Sequence, residues 1–159
     1  MNKIPFEILV DTREQRPYLF DSIKPIPATS VTTLKTGDYS LSGFSDEIII
    51  ERKSLADAFQ TFGKGRQRFI RELERMSKYN FAIVIIEADW LTILRHPPAR
   101  SRLNPKSVYA SIVAWMQRYN VHFMTAPNRA FAEKTTYRLL DRYYRDYQEG
   151  SQWKKRLTK

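Results

Sequence analysis

The segment Phe81–Ile86, FAIVII, is the feature of this sequence that most restricts its possible folds. Six consecutive apolar residues, most of them β-branched, predict a strand that is buried on both faces. A strand of this kind lies in the middle of a sheet and is covered by helices on each side. With 159 residues, the chain is long enough to form one domain around such a core.

Shorter patterns predict the elements around this strand. Further strands are expected at Phe6–Val10, Val31–Leu34 and Val121–Met124, with a proline-rich loop over residues 21–30. Helices are expected at 55–79 with a break near Gly63 and Gly65, from Asn104-Pro105 to Tyr119, and after Pro127-Asn128. The helix from Asn104-Pro105 is expected to bury Val108, Ile112, Trp115 and Met116. The apolar positions of the last helix are Phe131, Leu139, Leu140 and Tyr143. The alternation of strands and helices indicates an α/β domain with a mixed sheet.

The composition favours a polyanionic partner and limits the chemistry. Lys and Arg number 27 against 17 Asp and Glu, for a net charge of +10. This excess favours nucleic acid over the alternatives of a solubility surface or a ribosome-associated protein. The absence of cysteine excludes disulfides, thiolate zinc sites and cysteine nucleophiles. With only two histidines, a metal site is expected to use carboxylate oxygens, which bind Mg²⁺ or Mn²⁺.

The sequence predicts an intracellular location for the protein. No apolar run approaches the roughly 18 residues of a membrane span. The first residues, MNKIPFEILVDTRE, reach charged positions too early for a signal peptide. We therefore expect a cytoplasmic or nucleoid-associated protein with no membrane partner.

Two short strands, Tyr39–Leu41 and Ile48–Ile50, flank a turn-rich spacer and predict a hairpin. If the hairpin closes symmetrically between Phe44 and Ser45, position 38 lies opposite position 51. Side chains alternate along a strand, so Glu51 and Lys53 point to the same face. This register brings the side chains of Asp38, Glu51 and Lys53 together at one end of the hairpin.

The grouping of two carboxylates and one ammonium suits phosphodiester hydrolysis. The carboxylates can hold Mg²⁺, which polarises the phosphate, and Lys53 can position water or stabilise negative charge. The alternative is a solvent-facing charge pair, which is the usual meaning of Glu-x-Lys on a strand. Three consecutive isoleucines run directly into Glu51, which favours the catalytic interpretation.

These motifs resemble a known family. The segments Val10–Glu14 (VDTRE), Gly37–Tyr39 (GDY) and Glu51–Ser54 (ERKS), with Asp57 beyond them, are similar to the nuclease domain of XPF-type structure-specific endonucleases, of the PD-(D/E)xK superfamily. The resemblance continues to about Tyr147. It implies a restriction-endonuclease-like mixed sheet flanked by helices over residues 1–150, followed by a basic tail at 151–159. It also implies a DNA endonuclease that depends on Mg²⁺ or Mn²⁺.

The resemblance also implies roles for particular residues. Asp38 and Glu51 match metal-binding carboxylates, and Lys53 matches the catalytic lysine. Asp11, a further metal-ligand candidate, and Glu14 match accessory acidic positions. The remaining matches to the catalytic motifs are Arg13, Arg52 and Asp57.

Two arginines carry separate expectations. The alternative for Arg13 is a buried ion pair with Asp57 or Glu14. On a regular strand, Arg52 is expected to lie on the face opposite Glu51 and Lys53.

Basic residues after the catalytic strand are candidates for phosphate contact. Lys64, Arg68, Arg71, Arg75 and Lys78 recur at spacings of four and three, as in a stripe along one helix. The alternative is an ordinary solvated face, because Glu72 and Glu74 lie nearby. The other candidates for nucleic-acid binding are Arg66, Arg100 and Arg102.

Partners follow from the resemblance and from the aromatic residues. Family members often carry a tandem helix-hairpin-helix domain for duplex binding, which does not occur in this sequence, so a targeting protein is a possible partner. The family pairs its nuclease domains, so we expect a homodimer through the C-terminal helices. Their aromatic rings could instead close the monomer's core or stack on bases: Trp115, Tyr119, Tyr137, Tyr143, Tyr144 and Tyr147. Alternative functions are a catalytically silent DNA-binding scaffold and an RNase.

Overall fold

The computed structural model of the protein describes residues 3–150. Its strands are β1 (Glu7–Asp11), β2 (Ala28–Thr32), β3 (Tyr39–Leu41), β4 (Ile48–Lys53), β5 (Phe81–Ile86) and β6 (His122–Thr125). They form one sheet in the order β2-β1-β3-β4-β5-β6. β3 is antiparallel to β1 and β4, whereas the pairs β1–β2, β4–β5 and β5–β6 are parallel. The predicted mixed sheet is confirmed. The basic tail proposed for 151–159 lies outside the described residues.

Helices cover both faces of the sheet. They are α1 (Leu55–Phe62), α2 (Arg66–Met76), α3 (Trp90–Arg95), α4 (Pro105–Tyr119) and α5 (Arg129–Gln148). On one face, Val84 and Ile86 of β5 pack with residues of α1, α2 and α4. On the other face, Ile83 and Ile85 pack with residues of α5. β5 is therefore buried on both sides, as its sequence predicts, and so is β4.

Local sequence signals account for most helix boundaries. The expected break in the 55–79 segment occurs between α1 and α2, at Gly63 to Gly65. Asn104 and Asn128 cap α4 and α5 by accepting hydrogen bonds from backbone N–H groups of the first turn. The short helix α3 was not predicted. Asp89 caps its N-terminus, because the Asp89 side chain accepts a hydrogen bond from the backbone N–H of Thr92.

Three details differ from the sequence expectations. β2 begins at Ala28, inside the expected loop, because it pairs in parallel with β1 from Glu7 and Ala28 onward. Met116 was expected to be buried, and this is wrong, because it is 39% exposed. Phe131, an apolar position of the last helix, is 52% exposed. Met116 follows Trp115, and one step along a helix turns a side chain about 100° away from its neighbour. Phe131 lies in the first turn of α5.

The tyrosines of α5 belong largely to the monomer's own core. Tyr143 is buried, and Tyr137 and Tyr144 pack against the same core. Tyr147 is 42% exposed, yet its ring lies 4.7 Å from that of Phe44. No helix in residues 3–150 is long and apolar enough to cross a membrane.

Candidate active site

Asp38 is held in place by the chain on both sides of it. Gly37 has a φ of +73°, and a Cβ at this position would lie 2.4 Å from Cγ1 of Ile49. Only glycine therefore fits here, both for its backbone conformation and for the close approach of β4. Asp38 then donates its backbone N–H to the carbonyl of Ile50 and accepts the backbone N–H of Arg52 on Oδ2 at 2.8 Å.

The register of β3 with β4 brings the two principal carboxylates together. Tyr39 pairs with Ile50, which places Asp38 across from Glu51, as symmetric closure of the hairpin predicts. Glu51 and Lys53 lie on one face of β4, and the Lys53 ammonium donates to Oε1 of Glu51 at 3.0 Å. Both side chains are largely buried, at 11% and 8% exposure. The solvent-facing alternative for this pair is therefore wrong.

A cavity of about 380 Å³ opens over these side chains. Asp38, Glu51 and Lys53 form part of its wall, together with Glu72, Arg68 and Arg75 from α2. The sequence patterns grouped Glu72 with the solvated face of the helix, but the structure turns it into the cavity. Its Oε1 lies 3.5 Å from the Thr36 hydroxyl.

Burial and like charges dominate the electrostatics of this cavity. Burial, reinforced by the Glu51 charge, raises the pKa of Asp38 well above its usual range. The same two causes raise the pKa of Glu72 to about 7. Burial alone lowers the pKa of Lys53, but the facing carboxylates of Glu51 and Glu72 outweigh it and raise that pKa. Lys53 is therefore a cation at neutral pH, beside an excess of acidic groups.

Asp11 lines the cavity but is committed to its own neighbours. Its Oδ2 accepts the backbone N–H and Nε–H of Arg13 at 2.9 and 2.8 Å. Its Oδ1 accepts the Leu34 N–H at 2.8 Å and Nη2–H of Arg13 at 3.1 Å. Burial raises the pKa of Asp11, but these hydrogen bonds outweigh it and lower that pKa. Four donors occupy both oxygens, so Asp11 holds Arg13 and Leu34 in place. Its metal-binding role stays a prediction.

Arg13 has a different partner from the one considered from sequence. The alternative of a buried ion pair with Asp57 or Glu14 is wrong, because its guanidinium pairs with Asp11 and is 64% exposed. Asp57 is also exposed and is occupied at the start of α1, where it forms a capping box with Ser54. Asp57 does not line the cavity, so the structure does not bring it together with Asp38 and Glu51.

Arg52 lies on the opposite face of β4, as expected. Its Nε donates to Oε1 of Glu87 at 2.7 Å, and its Nη1 lies 3.6 Å from Oε2 of Glu14. Glu87 also accepts a hydrogen bond from the Tyr18 hydroxyl at 2.7 Å and one from Arg129 at 3.3 Å. Glu14 and Arg52 therefore belong to a buried network on the other face of β4.

The expected basic residues divide into groups. Arg68 and Arg75 line the cavity over Asp38, Glu51 and Lys53. Arg66 is engaged elsewhere, because it donates to the Ser111 hydroxyl at 2.7 Å and lies 4.6 Å from the Trp115 ring centroid. The other candidates are exposed and lie outside the cavity wall: Lys64, Arg71, Lys78, Arg100 and Arg102.

The donors of the cavity fit a hard divalent cation. Asp38 and Glu51 supply carboxylate oxygens, which Mg²⁺ and Mn²⁺ prefer. Within residues 3–150, no three acidic or histidine side chains form a ready-made metal cluster. This agrees with the usual binding of Mg²⁺ through one or two carboxylates, with water and phosphate oxygens completing its shell.

Comparison with known proteins identifies the family. The ERCC4 domain profile matches residues 10–139. The chain belongs to the ERCC4 domain family. The resemblance derived from the motifs is thereby confirmed, and no curated protein sequence matches the chain.

Solved structures similar to this ERCC4 domain confirm the restriction-endonuclease-like fold. XPF from Aeropyrum pernix matches at a TM-score of 0.68 and 24% identity, over 87% of this chain and 61% of that chain. A structure of XPF from the same organism in complex with DNA matches at a TM-score of 0.69 and 24% identity, over 88% and 66% of the two chains. The chain therefore spans about two thirds of the length of these relatives.

The raised pKa of Asp38 generates a stability prediction. The pKa of Asp38 in the folded protein lies above its value of 3.8 in the unfolded chain. The folded protein therefore loses stability as the pH rises from 3.8 through the folded-state pKa of Asp38. Asp38→Asn abolishes this loss and keeps an oxygen that can accept from Arg52. We expect the metal-free variant to melt at least about 2 °C above the unmodified protein at pH 8, with a smaller difference at pH 4. Calorimetric melting curves measure this, and equal Tm values at pH 8 would contradict it.

Proposed function

We propose that this chain is a metal-dependent endonuclease that hydrolyses DNA phosphodiester bonds, with branched or otherwise structured DNA as substrate. The observation that carries the proposal is the buried group of Asp38, Glu51 and Lys53 in one cavity, with Arg68 and Arg75 on its wall. Acidic groups for a cation and basic groups for phosphates thus meet at one place. Membership in the ERCC4 domain family supports the same conclusion.

The residues divide the work of hydrolysis. Asp38 and Glu51 would hold Mg²⁺ or Mn²⁺, and such a cation supplies Lewis-acid polarisation of the phosphate. The charged Lys53 lies 3.0 Å from Glu51, so it can hold the attacking water or stabilise charge that develops on the phosphate. Arg68 and Arg75 on the cavity wall can orient the phosphates of the DNA backbone next to the bond that is cleaved. The network behind β4, which includes Arg52, Glu14 and Glu87, keeps the end of the catalytic strand rigid.

The alternative functions stay open to test. A silent DNA-binding scaffold does not need a buried Asp38, Glu51 and Lys53, and the presence of all three favours catalysis. An RNase uses the same chemistry, so substrate comparison has to separate the two. The intracellular, DNA-associated location expected from the sequence also stays a prediction.

Three substitutions test the active site. Asp38→Ala and Glu51→Ala should each abolish cleavage of flap and fork DNA in Mg²⁺ or Mn²⁺, because they remove the carboxylates for the cation. Lys53→Ala should lower turnover by about 100-fold or more and spare metal-free DNA binding, since a group beside the scissile phosphate acts mainly in the transition state. Gel assays with duplex, single-stranded, flap, fork and RNA substrates measure this.

A control variant and two contrary outcomes make the cleavage assays decisive. Asp57→Ala should retain cleavage, because Asp57 caps a helix outside the cavity. Full activity in Asp38→Ala or Glu51→Ala would contradict the site. Cleavage of RNA alone would favour the RNase.

Binding should depend strongly on salt because phosphate neutralisation releases counterions. Each neutralised phosphate contributes about −0.9 to the slope of log K against log salt. Arg68→Ala should reduce the slope by about this amount, since Arg68 is exposed on the cavity wall. Arg66→Ala is the matched control, because Ser111 and Trp115 already engage its guanidinium. An equal slope for Arg68→Ala and the unmodified protein would mean that the basic residues of this helix form an ordinary solvated face.

We also propose that the chain forms a two-fold homodimer through its C-terminal helices, with a targeting protein as a possible further partner. Large apolar side chains on these helices support this, because Tyr109, Val113, Met116 and Phe131 are between 38% and 52% exposed. Tyr143 is buried in the monomer and is therefore unsuited to an interface.

Substitutions by glutamate distinguish residues of the proposed dimer interface from residues of the monomer's core. In a two-fold contact, one substitution is felt twice, so Met116→Glu or Phe131→Glu should give a monomer with an unchanged circular dichroism spectrum. Tyr143→Glu should instead unfold the protein, because it places a charge in the core. Light scattering at micromolar concentration measures the mass. A monomeric mass for the unmodified protein would exclude the homodimer.

A further inference from the structure

A second cavity adjoins the active-site cavity near the C-terminal end of α2, and we call it the flanking cavity. Its volume is about 440 Å³, and its wall consists of Lys35, Thr36, Asp46, Arg75, Lys78 and Tyr79. Thr36 and Arg75 also line the active-site cavity over Asp38 and Glu51. The two cavities therefore share part of their wall, and a strand that leaves the active site along α2 reaches the flanking cavity next.

The flanking cavity carries an excess of positive charge. Lys35, Arg75 and Lys78 face a single acidic residue, Asp46. Lys35 pairs with Asp46 at 2.8 Å, but the two side chains are 76% and 65% exposed, so this ion pair contributes little. The ion pairs formed within residues 3–150 do not include Arg75 or Lys78. An anion in this cavity would therefore meet two cations that no carboxylate holds in an ion pair.

The Tyr79 hydroxyl also lacks a partner that an anion would supply. Its oxygen is buried, and it has no hydrogen-bond partner within the described part of the chain. A buried hydroxyl without a partner is costly, because it has lost its hydrogen bonds to water. Phosphate oxygens accept hydrogen bonds from hydroxyl groups as well as from Lys and Arg. A phosphate group thus suits both the charge of this cavity and its unpartnered hydroxyl.

We propose that the flanking cavity is a phosphate subsite, in which Lys35, Arg75 and Lys78 bind an internal backbone phosphate of DNA a few nucleotides from the bond that is cleaved. This inference rests on the proposed DNA endonuclease function. Arg75 follows Arg68 by about two helical turns, or roughly 10 Å along α2. A DNA strand carries one negative charge about every 3.4 Å of helix axis. Backbone that passes Arg68 therefore brings a later phosphate of the same strand to Arg75 and Lys78.

A subsite of this kind positions the strand without reading its sequence, because phosphates are the same at every base pair. It fixes the strand at a second point beside the active site. Binding of one particular phosphate also differs from general attraction by a basic surface in a testable way. Only a direct contact makes the loss of one lysine equivalent to the loss of one phosphate charge.

Metal-free binding to flap DNA that carries an uncharged methylphosphonate at one position at a time tests the subsite. Lys78→Ala should weaken binding to unmodified DNA about 5- to 10-fold at low salt. At one internal position, the methylphosphonate should weaken binding of the unmodified protein to a similar degree and should not weaken binding of Lys78→Ala further. At all other positions the two losses should add, as independent changes do. Lys35→Ala should show the same non-additive position.

Lys134→Ala is the charge-matched control. Lys134 is exposed on α5, which covers the opposite face of the sheet from α2. Its removal should add to the methylphosphonate loss at every position. Circular dichroism spectra establish that each variant is folded, and all three lysines are exposed. DNA with and without a 5′-terminal phosphate distinguishes an internal phosphate from a strand end, and we expect equal affinities.

The contrary outcomes separate this inference from the proposed function. Additive losses for Lys78→Ala at every position would overturn the subsite, make the flanking cavity an ordinary solvated surface and leave the proposed function standing. A gain in affinity from the terminal phosphate that disappears in Lys78→Ala would assign the cavity to a strand end and overturn the internal position. Failure of the unmodified protein to bind flap, duplex or single-stranded DNA would overturn the endonuclease function together with this inference.

Discussion

The pairing of β3 with β4 is the constraint on which the candidate site depends. The backbone N–H of Asp38 donates to Ile50, and the Asp38 side chain accepts the N–H of Arg52. These two bonds place Asp38 across from Glu51. A shift of one residue in this register would turn Glu51 and Lys53 to the other face of the sheet. The close approach of β4 to Gly37, where a Cβ does not fit, further restricts the register.

The end of β4 separates two buried polar groups. On one face, Glu51 and Lys53 meet Asp38 and Glu72 around a cavity that is open to a substrate. On the other face, Arg52 is held by Glu14 and Glu87 in a closed network. Because the closed network satisfies its own charges, it can stabilise the end of β4 without drawing on the carboxyl groups that line the cavity. The open group, in contrast, sets the three carboxyl groups of Asp38, Glu51 and Glu72 against the single ammonium of Lys53.

Asp11 shows how a motif residue can support a site through its hydrogen bonds. Its carboxylate accepts four hydrogen bonds, from Arg13 and Leu34. It thereby fixes the loop after β1 against the segment that leads to Gly37 and Asp38. The exposed guanidinium of Arg13 is then held in a defined position on the cavity wall. Anchoring of this kind explains an acidic residue here even without metal ligation.

The sequence by itself determined the elements whose signals are local. The apolar run of β5, the asparagine caps of α4 and α5 and the glycines between α1 and α2 predicted the correct elements, because propensity and periodicity act over a few residues. The motifs also led to Asp38, Glu51 and Lys53, since a symmetric hairpin relates positions 38 and 51. Only the tertiary structure decided the positions of the Glu72 and Glu87 side chains. Glu72 lies in the charged helix α2, and Glu87 directly follows the apolar run of β5. Long-range packing against β4 determines which of these charged side chains face the core and which face water.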